Sequence, residues 1–233
     1  MNFKLLENLG IKITDEKKKK FSDYIELFRQ YNAHTNLISK NDEKYLFEKH
    51  IFDSLAFNLF IKKYGTPKKL LDIGTGGGFP SLPLAILFSE IEILAVDSTA
   101  KKINFITDTK EKLNIKNITS MVSRIEELPT ELKGSFDAVT TRALGALPLV
   151  LEYSVPYLKT KGHFVAYKSI DSENEILKSQ NALKTLKTEL IDTLEYKLPL
   201  TENFDRKLLV FQKLEEISSI YPRAYNIMKK SPL

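Results

Sequence analysis

The residues with the clearest chemical potential lie in the stretch LLDIGTGGGFPSLPLAI, residues 70–86. An apolar run reaches Asp72, and Gly74, Gly76 and Gly78 follow it at alternate positions. The chain has nine glycines in all, so their concentration in this short segment is unusual. Glycine accepts positive backbone dihedral angles and lets a ligand approach the main chain closely. The pattern therefore predicts a ligand-binding turn between a strand and a helix.

Two familiar nucleotide-binding loops do not match this turn. A dinucleotide loop has the pattern G-x-G-x-x-G, but Phe79 and Ser81 occupy the third glycine position in the two possible frames. A phosphate-binding loop ending in G-K-[ST] is not found here either. The pattern D-x-G-x-G-x-G instead resembles the first motif of class I S-adenosylmethionine-dependent methyltransferases. This resemblance implies S-adenosylmethionine as the cofactor, with Gly74 and Gly76 beside it and Asp72 fixing the loop.

Acidic residues follow the next two apolar runs. Asp97 ends the run IEILAVD, about 20 residues beyond the glycines, where an acid can accept both hydroxyls of a ribose. The segment SRIEELP comes after the third run, and superfamily geometry places the backbone of Ile125 and the side chain of Glu126 at an adenine edge. Considered alone, Asp97 could equally be a solvent-exposed aspartate at the end of a strand. Glu126 alone could be an acidic residue of the common kind at the start of a helix.

The elements around these residues alternate between strands and helices. We predict strands at 68–74, 91–97, 117–122, 136–142, 162–168, 195–200 and 206–214, with helices at 80–89, 101–113, 146–158 and 173–190. Short apolar strands between helices are typical of a parallel sheet covered on both faces. The last two strands, joined by the turn TENFD (201–205), read as a hairpin, which predicts an antiparallel edge.

The first 66 residues have a different pattern, which is helical throughout. Apolar spacings predict helices over 21–31 and 50–64, and Gly65 and Pro67 end the second one. We therefore expect an N-terminal helical cap at 1–66 and a cofactor-binding domain at 67–233. Asp53 is one of the polar residues expected to tie this cap to the sheet.

Composition limits the classes of function. The 233 residues carry a formal charge of +5, which permits a polyanionic partner without requiring one. There are no cysteines and three histidines, so we expect no disulfide and no metal site, and we read the histidines as structural or surface residues. No apolar run reaches the length of about 20 residues that spans a membrane. The N-terminus lacks a secretory signal pattern, and we expect a cytoplasmic protein without a membrane partner.

Arg142 ends the fourth predicted strand in the segment TTRALGAL. Methyltransferases that act on the exocyclic amine of adenine usually carry [ND]-P-P-[YF] at this point. An arginine cannot accept a proton from an amine, but its planar fork of donors can orient a cofactor carboxylate or a substrate phosphate. The sequence thus argues against methylation of an adenine amine.

Five segments together resemble one family of class I methyltransferases. NLISKND, EKHIFDSL, LLDIGTGGGFPSLPLAI, SRIEELP and TTRALGAL are similar, in that order, to the small-subunit (16S) ribosomal RNA guanine-7 methyltransferases, the RsmG or GidB family. The resemblance implies an α/β, Rossmann-like, seven-stranded and mostly parallel sheet. It also implies transfer of a methyl group to nitrogen-7 of a guanosine in 16S ribosomal RNA. The cofactor contacts it implies are Gly74, Phe79, Ile125, Glu126 and Arg142, to which superfamily geometry adds Asp97.

Two alternatives stay open at this point. One is a class I methyltransferase that acts on a protein or a small molecule, and the other is a non-catalytic RNA-binding or ribosome-assembly module. Nitrogen-7 of guanine has a lone pair and no proton, so the implied reaction needs no general base, and we assign no catalytic residue. Basic residues near the predicted strand ends are candidates for RNA phosphates: Lys101, Lys102, Arg124, Arg142 and Lys168.

Overall fold

The computed structural model describes residues 1–200 and 205–233. Seven strands form one sheet in the order β3-β2-β1-β4-β5-β7-β6. The strands are β1 (Lys69–Ile73), β2 (Glu92–Asp97), β3 (Ile118–Val122), β4 (Phe136–Arg142), β5 (Leu158–Ser169), β6 (Thr188–Lys197) and β7 (Asp205–Lys213).

The central strands pair in parallel, and one side of the sheet is antiparallel. β1 lies between β2 and β4 and is parallel to both. β7 is antiparallel to both of its neighbours, β5 and the edge strand β6. These pairings confirm the predicted α/β fold, a seven-stranded and mostly parallel sheet with an antiparallel edge. The predicted turn at 201–205 lies outside the described residues except for Asp205.

The strand sequences explain why the sheet is buried on both faces. Leu70, Leu71 and Ile73 of β1 are all fully buried although they point alternately to opposite faces. Such continuous apolar strands require helices on both sides of the sheet. The helices are α1 (Asp15–Thr35), α2 (Lys40–Glu43), α3 (Phe52–Leu55), α4 (Phe57–Tyr64), α5 (Ser81–Leu87), α6 (Ala100–Lys112), α7 (Leu147–Ser154), α8 (Glu173–Lys178), α9 (Gln180–Thr185) and α10 (Tyr225–Lys230).

The prediction of one long helix at 173–190 is wrong. The chain forms the short helices α8 and α9 and enters β6 at Thr188, so β6 also begins earlier than the strand predicted at 195–200. Lys187 turns the chain with a φ of 49°, a left-handed conformation without the glycine that usually signals a helix end. Because β6 is an edge strand, many of its side chains stay at least partly exposed. Its pattern of polar residues therefore resembles that of the exposed face of an amphipathic helix.

The N-terminal residues are helical, as predicted, and pack directly on the sheet layer. Thr14 caps α1 by accepting a hydrogen bond from the Lys17 amide, and a π-helix at Leu46–Ile51 precedes α3. Phe28 of α1 packs against Phe105 of α6, with ring centroids 5.4 Å apart. The apolar residues of this region belong to the same buried cluster as one face of the sheet.

Two kinds of feature are absent from the described part of the chain. Within 1–200 and 205–233, no helix combines the length and the apolar character needed to cross a bilayer. The same residues include no group of three or more histidine, aspartate or glutamate side chains that could bind a metal ion.

Candidate functional site

The glycine loop joins β1 to α5 and lies against the end of β2. The backbone amides of Gly74 and Thr75 donate to the carbonyl of Val96, over 2.8 and 3.0 Å. The amide of Gly76 donates to Oδ2 of Asp97 at 3.0 Å. The loop is therefore anchored to β2, and the carboxylate predicted to accept ribose hydroxyls contacts it directly.

Three glycines of this loop, Gly74, Gly76 and Gly78, have positive φ, and the surroundings of the first two differ. The φ angles are 71° at Gly74 and 58° at Gly76, a region that favours glycine. A Cβ atom on Gly74 would lie 2.5 Å from Cδ1 of Leu144, so a side chain of the protein itself packs there. A Cβ atom on Gly76 would have the Gly74 carbonyl oxygen, 3.9 Å away, as its nearest neighbour. Gly76 is thus the position with open space for a ligand beside the main chain.

Asp72 is completely buried and holds the loop from beneath. Its Oδ2 accepts a hydrogen bond from the hydroxyl of Ser81, whose Oγ lies 2.6 Å from Oγ1 of Thr75. Burial raises the pKa of Asp72 to about 6. Its Oδ1 has no hydrogen-bond partner within the described residues. These contacts fix the turn from β1 to α5, as expected from the motif.

Asp97 is nearly buried, with 6% of its surface exposed. Its Oδ1 accepts from the amide of Thr99 at 2.9 Å, and Oδ2 accepts from the loop. The Nζ atom of Lys102 lies 3.4 Å from Oδ2. Because an ionised carboxylate accepts about four hydrogen bonds, these contacts leave Asp97 with capacity for a ligand hydroxyl.

Ile125 and Glu126 lie on a short 3₁₀-helix, Ile125–Glu127, just after β3. The hydroxyl of Tyr157 donates to the Ile125 carbonyl at 2.6 Å and fixes this helix against the core. Tyr153 of α7 is close to Glu126, and burial together with that carboxylate raises the pKa of Tyr153 to about 12. The Tyr153 phenol is therefore protonated at neutral pH and can donate a hydrogen bond.

These elements enclose a depression that we call the glycine-loop cleft. It is lined by Gly74, Asp97, Ser98, Thr99, Lys102, Ser123, Arg124, Ile125, Glu126, Leu144 and Tyr153. The structure thus brings together Gly74, Asp97, Ile125 and Glu126, which are distant in the sequence. Gly76 contacts the cleft's Asp97 through its amide, whereas Phe79 and Arg142 lie outside this lining.

Arg142 connects the end of β4 to the N-terminal helices. Its Nε donates to Oδ2 of Asp53 at 2.6 Å. Its Nη2 lies within hydrogen-bond distance of the Lys49 carbonyl, at 3.2 Å, and of His50 Nδ1, at 3.1 Å. The other oxygen of Asp53 accepts from the hydroxyl of Tyr196 at 2.6 Å. Asp53 therefore ties the cap to the sheet, as predicted.

Phe79 forms the floor beneath this ion pair. The Arg142 guanidinium carbon lies 5.6 Å from the Phe79 ring centroid, and the rings of His50 and Phe79 are 5.1 Å apart. Burial, with Arg142 close by, lowers the pKa of His50 to about 3. The imidazole is therefore neutral at physiological pH.

A second depression, which we call the cap cleft, opens between the N-terminal helices and the ends of β4 and β5. Its volume is about 360 Å³, and its lining is Lys49, His50, Asp53, Thr141, Arg142, Ala143, Leu144, Gly145, Tyr167, Lys168, Ser169 and Arg206. Leu144 lines both clefts. Four of the five predicted basic residues divide between the two clefts, because Lys102 and Arg124 line the first and Arg142 and Lys168 line the second. Lys101 lines neither cleft, and its Nζ donates to the Thr35 carbonyl at 3.0 Å.

Sequence reasoning missed several of the residues that shape these clefts. Tyr153 lies within a predicted helix whose sequence has no distinctive motif. Lys49 is one of many lysines, and it lies on the π-helix Leu46–Ile51 in the lining of the cap cleft. Leu144 is visible as part of TTRALGAL, but its contact with Gly74 depends on the approach of two strands.

The sequence as a whole identifies the family. A sequence model of the family described as rRNA small subunit methyltransferase G matches residues 17–204. The chain belongs to the rRNA small subunit methyltransferase G family. It is 38% identical to the family member of Acholeplasma laidlawii, with all of both chains covered. It is 34% identical to the member of Streptococcus agalactiae, with 99% of this chain and 98% of the relative covered.

A solved structure supports the fold assignment. A variant of the 16S rRNA (adenine(1408)-N(1))-methyltransferase of Catenulisporales acidiphilia superposes with a TM-score of 0.53. The match covers 67% of this chain and 87% of that one at 17% identity. Membership of the rRNA small subunit methyltransferase G family confirms the methyltransferase class predicted from the glycine motif. The solved neighbour supports the predicted fold. Ribosomal RNA as the class of substrate follows from the family.

Proposed function

We propose that this protein transfers a methyl group from S-adenosylmethionine to nitrogen-7 of a guanosine in 16S ribosomal RNA. The observation that carries the proposal is the contact between the glycine loop and Asp97, in a chain that matches its family over almost its full length. The proposal treats 1–66 as a cap, 67–233 as the methyltransferase domain, and the cytoplasm as the place of action, where ribosomal RNA is available.

The residues of the glycine-loop cleft fit the cofactor chemically. Open space beside Gly76 permits a ligand to contact the main chain, and Asp97 retains acceptor capacity for ribose hydroxyls. Glu126 and Ile125 line the same cleft as Asp97, and we propose that the Glu126 side chain and the Ile125 backbone would contact the adenine. We also propose Gly74, Phe79 and Arg142 as cofactor contacts. Gly74 lines the glycine-loop cleft, and Phe79 lies beneath the Arg142 guanidinium.

The proposed reaction does not require the protein to transfer a proton. When bound, the cofactor supplies an electrophilic methyl group on a sulfonium. Nitrogen-7 of guanine would attack the methyl carbon through its lone pair without losing a proton, and the electron pair of the broken carbon–sulfur bond would leave with sulfur in S-adenosylhomocysteine. No protein group has to accept a proton, which agrees with a neutral, buried His50. The task of the chain is alignment of the reacting atoms, an effect that can lower a barrier by about 7–11 kcal/mol.

Methyl transfer to purified RNA tests this proposal. The full-length protein is incubated with labelled S-adenosylmethionine and either 16S ribosomal RNA or small ribosomal subunits, and the modified nucleotide is mapped. We expect label at nitrogen-7 of a guanosine. Label on protein or on a small molecule would instead support the alternative of a class I methyltransferase that acts on such a substrate. Cofactor binding without transfer to any substrate would contradict the proposal that the protein is an enzyme.

Salt dependence separates RNA from the other substrates. Binding through several phosphates loses affinity steeply as the salt concentration rises. We expect the KM for RNA to rise between about 50 and 200 mM salt, while the affinity for S-adenosylhomocysteine changes little. A KM that stays flat over this range would contradict an RNA substrate.

A further inference from the structure

We propose that the segment after β7, residues 214–233, is a positioning element of the glycine-loop cleft, held in place by the ion pair between Arg223 and Glu152. We call residues 214–233 the C-terminal segment. The inference rests on the proposed role of the cleft as the cofactor site and adds two positioning residues to it. Arg223 and Glu152 act on the cleft through α7, the helix that contains Tyr153.

The Arg223–Glu152 pair is buried and has several hydrogen bonds. The Glu152 side chain exposes 1% of its surface. Its Oε1 accepts from the backbone amide of Arg223 at 3.0 Å and from Nε at 2.7 Å, and its Oε2 accepts from Nη2 at 2.6 Å. A carboxylate and a guanidinium joined by two such bonds are fixed in direction as well as in distance. The methyl transfer does not use this carboxylate, whose burial is offset by a residue 71 positions later in the chain.

Arg223 also orders the segment to which it belongs. Its Nη2 donates to the Ser231 carbonyl at 3.1 Å, just beyond the end of α10. α10 has six residues, whereas an isolated helix needs about 12–15 residues to be stable in water. The helix therefore depends on contacts with the rest of the protein. Met228 of α10 is buried in the same apolar cluster as Ile125 and Tyr153, two residues of the cleft lining.

The geometry of α7 connects the ion pair to the cleft. Glu152 and Tyr153 are consecutive residues of this helix, and consecutive side chains of an α-helix point about 100° apart. Glu152 points toward Arg223. Tyr153 lines the cleft together with Ile125 and Glu126. Because the ion pair fixes the direction of Glu152, it also fixes the rotation of α7 about its axis and hence the position of Tyr153.

α10 itself also comes close to Tyr153. Tyr225 is the first residue of this helix. Burial, Glu126 and Tyr225 together raise the pKa of Tyr153 to about 12. Both the 3₁₀-helix that contains Glu126 and the C-terminal segment are therefore near the Tyr153 phenol. The segment thus supports the side of the cleft that contains Ile125 and Glu126.

The proposed contacts of the adenine are on this side of the cleft. We therefore expect the Arg223–Glu152 pair to affect recognition of the adenine in particular. A segment that only stabilised the fold would change all ligand affinities by one common factor, because the apparent affinity falls with the fraction of protein that is competent to bind. Selectivity for adenine is therefore the measurement that distinguishes positioning from stabilisation.

Two ligands provide this measurement in the full-length protein. They are S-adenosylhomocysteine and its inosine analogue, in which an oxygen replaces the exocyclic amino group of the base, and calorimetry gives both affinities. We expect wild type to prefer the adenine compound by about tenfold or more, because the analogue leaves polar groups of the site unpaired. We expect R223Q to reduce this preference by at least about threefold, the effect of weakening one hydrogen bond.

A second variant separates selectivity from stability. R223Q leaves Glu152 buried without its partner, which lowers stability. E152Q/R223Q removes both charges, so it should be more stable than R223Q and show a similar loss of preference. K230Q, which removes an exposed cation from α10, is the matched control and should equal wild type. Thermal melting of the three variants reports whether they fold.

The results separate this inference from the proposed function. Wild-type preference in both R223Q and E152Q/R223Q would overturn the inference, because the C-terminal segment would then only support the fold. The cleft would remain the proposed cofactor site in that case, since methyl transfer and the D97N variant test it independently. Equal affinity of wild type for the two ligands would contradict the proposed adenine contacts and the role of the Arg223–Glu152 pair together.

Discussion

Arg142, the last residue of β4, donates from Nε to Oδ2 of Asp53 at 2.6 Å and so fastens the sheet to the N-terminal helices beside both clefts. The two side chains expose 16% and 6% of their surfaces. An ion pair this deeply placed is costly to break by removing one partner, because the other charge stays buried. The geometry of the cap cleft therefore depends on Asp53 as much as on Arg142.

We expect D53N to lower the free energy of unfolding by about 3 kcal/mol, since it leaves the Arg142 guanidinium without its carboxylate. Urea denaturation checks this value. D15N, which weakens the exposed Lys18–Asp15 pair at the start of α1, is the control and should change stability little. Equal stability of D53N and wild type would show that Arg142 does not need this partner.

The open space beside Gly76 leads to a second prediction. G76A should lose about 1–2 kcal/mol of stability, because an L-residue is strained at a φ of 58°. It should also lose at least about tenfold in affinity for S-adenosylhomocysteine, because the new methyl group occupies the ligand's approach. G134A has a similar φ of 65° and no close neighbour, and it lies outside both cleft linings. This control should show the strain without the loss of binding, and equal binding by both variants would exclude close contact at Gly76.

Asp97 is the third test, because its carboxylate is expected to accept ribose hydroxyls. Hydrogen bonds to a charged group contribute about 1.5–3 kcal/mol, so D97N should weaken S-adenosylhomocysteine binding by about 10–100-fold. E92Q, at the opposite end of β2, removes an exposed carboxylate and should leave binding unchanged. Calorimetric titration of both variants provides the measurement. Wild-type affinity in D97N would restrict Asp97 to holding the loop through Gly76 and Thr99.

Asp72 predicts a pH dependence of stability. Burial raises its pKa to about 6 in the folded protein, against an ordinary value of 3.8, so the folded state favours the protonated carboxyl. The associated stability is present below the unfolded pKa and is lost as pH rises through the folded pKa, a change of about 3 kcal/mol.

We therefore expect the difference in unfolding free energy between wild type and D72N to move against wild type as pH rises from about 4 to 6. Because the asparagine does not titrate, subtraction of the two curves removes the contributions of all other groups. A difference that stays constant over this range would show that folding does not raise the pKa of Asp72. Chemical denaturation at closely spaced pH values supplies both curves.

The sequence alone determined the parts of this protein that depend on local chemistry. Alternating apolar and polar segments predicted the strands of the parallel sheet, because a strand buried on both faces must be apolar along its whole length. The glycine pattern and the acid ending IEILAVD predicted a loop and a carboxylate near each other, since parallel strands end at the same edge of a sheet. Family resemblance in five segments supplied the activity.

The prediction of a long helix at 173–190 is wrong for a physical reason that cannot be read from the local sequence. An edge strand is exposed on part of its surface and therefore contains polar residues at positions that also fit an amphipathic helix. Pairing with β7, which comes later in the chain, decides in favour of β6. Lys187 makes the required left-handed turn without a glycine.

Only the tertiary structure determined how the two clefts are built. Tyr196 and Asp53 are separated by 143 positions, and Arg142 and His50 by 92, yet each pair is in hydrogen-bond contact. Leu144 packs on Gly74 because β4 is the neighbour of β1, an order of strands that no local pattern specifies. Local sequence decides which backbone conformations and burial patterns are favourable, whereas contacts between distant side chains depend on the packing of the whole sheet with its helices.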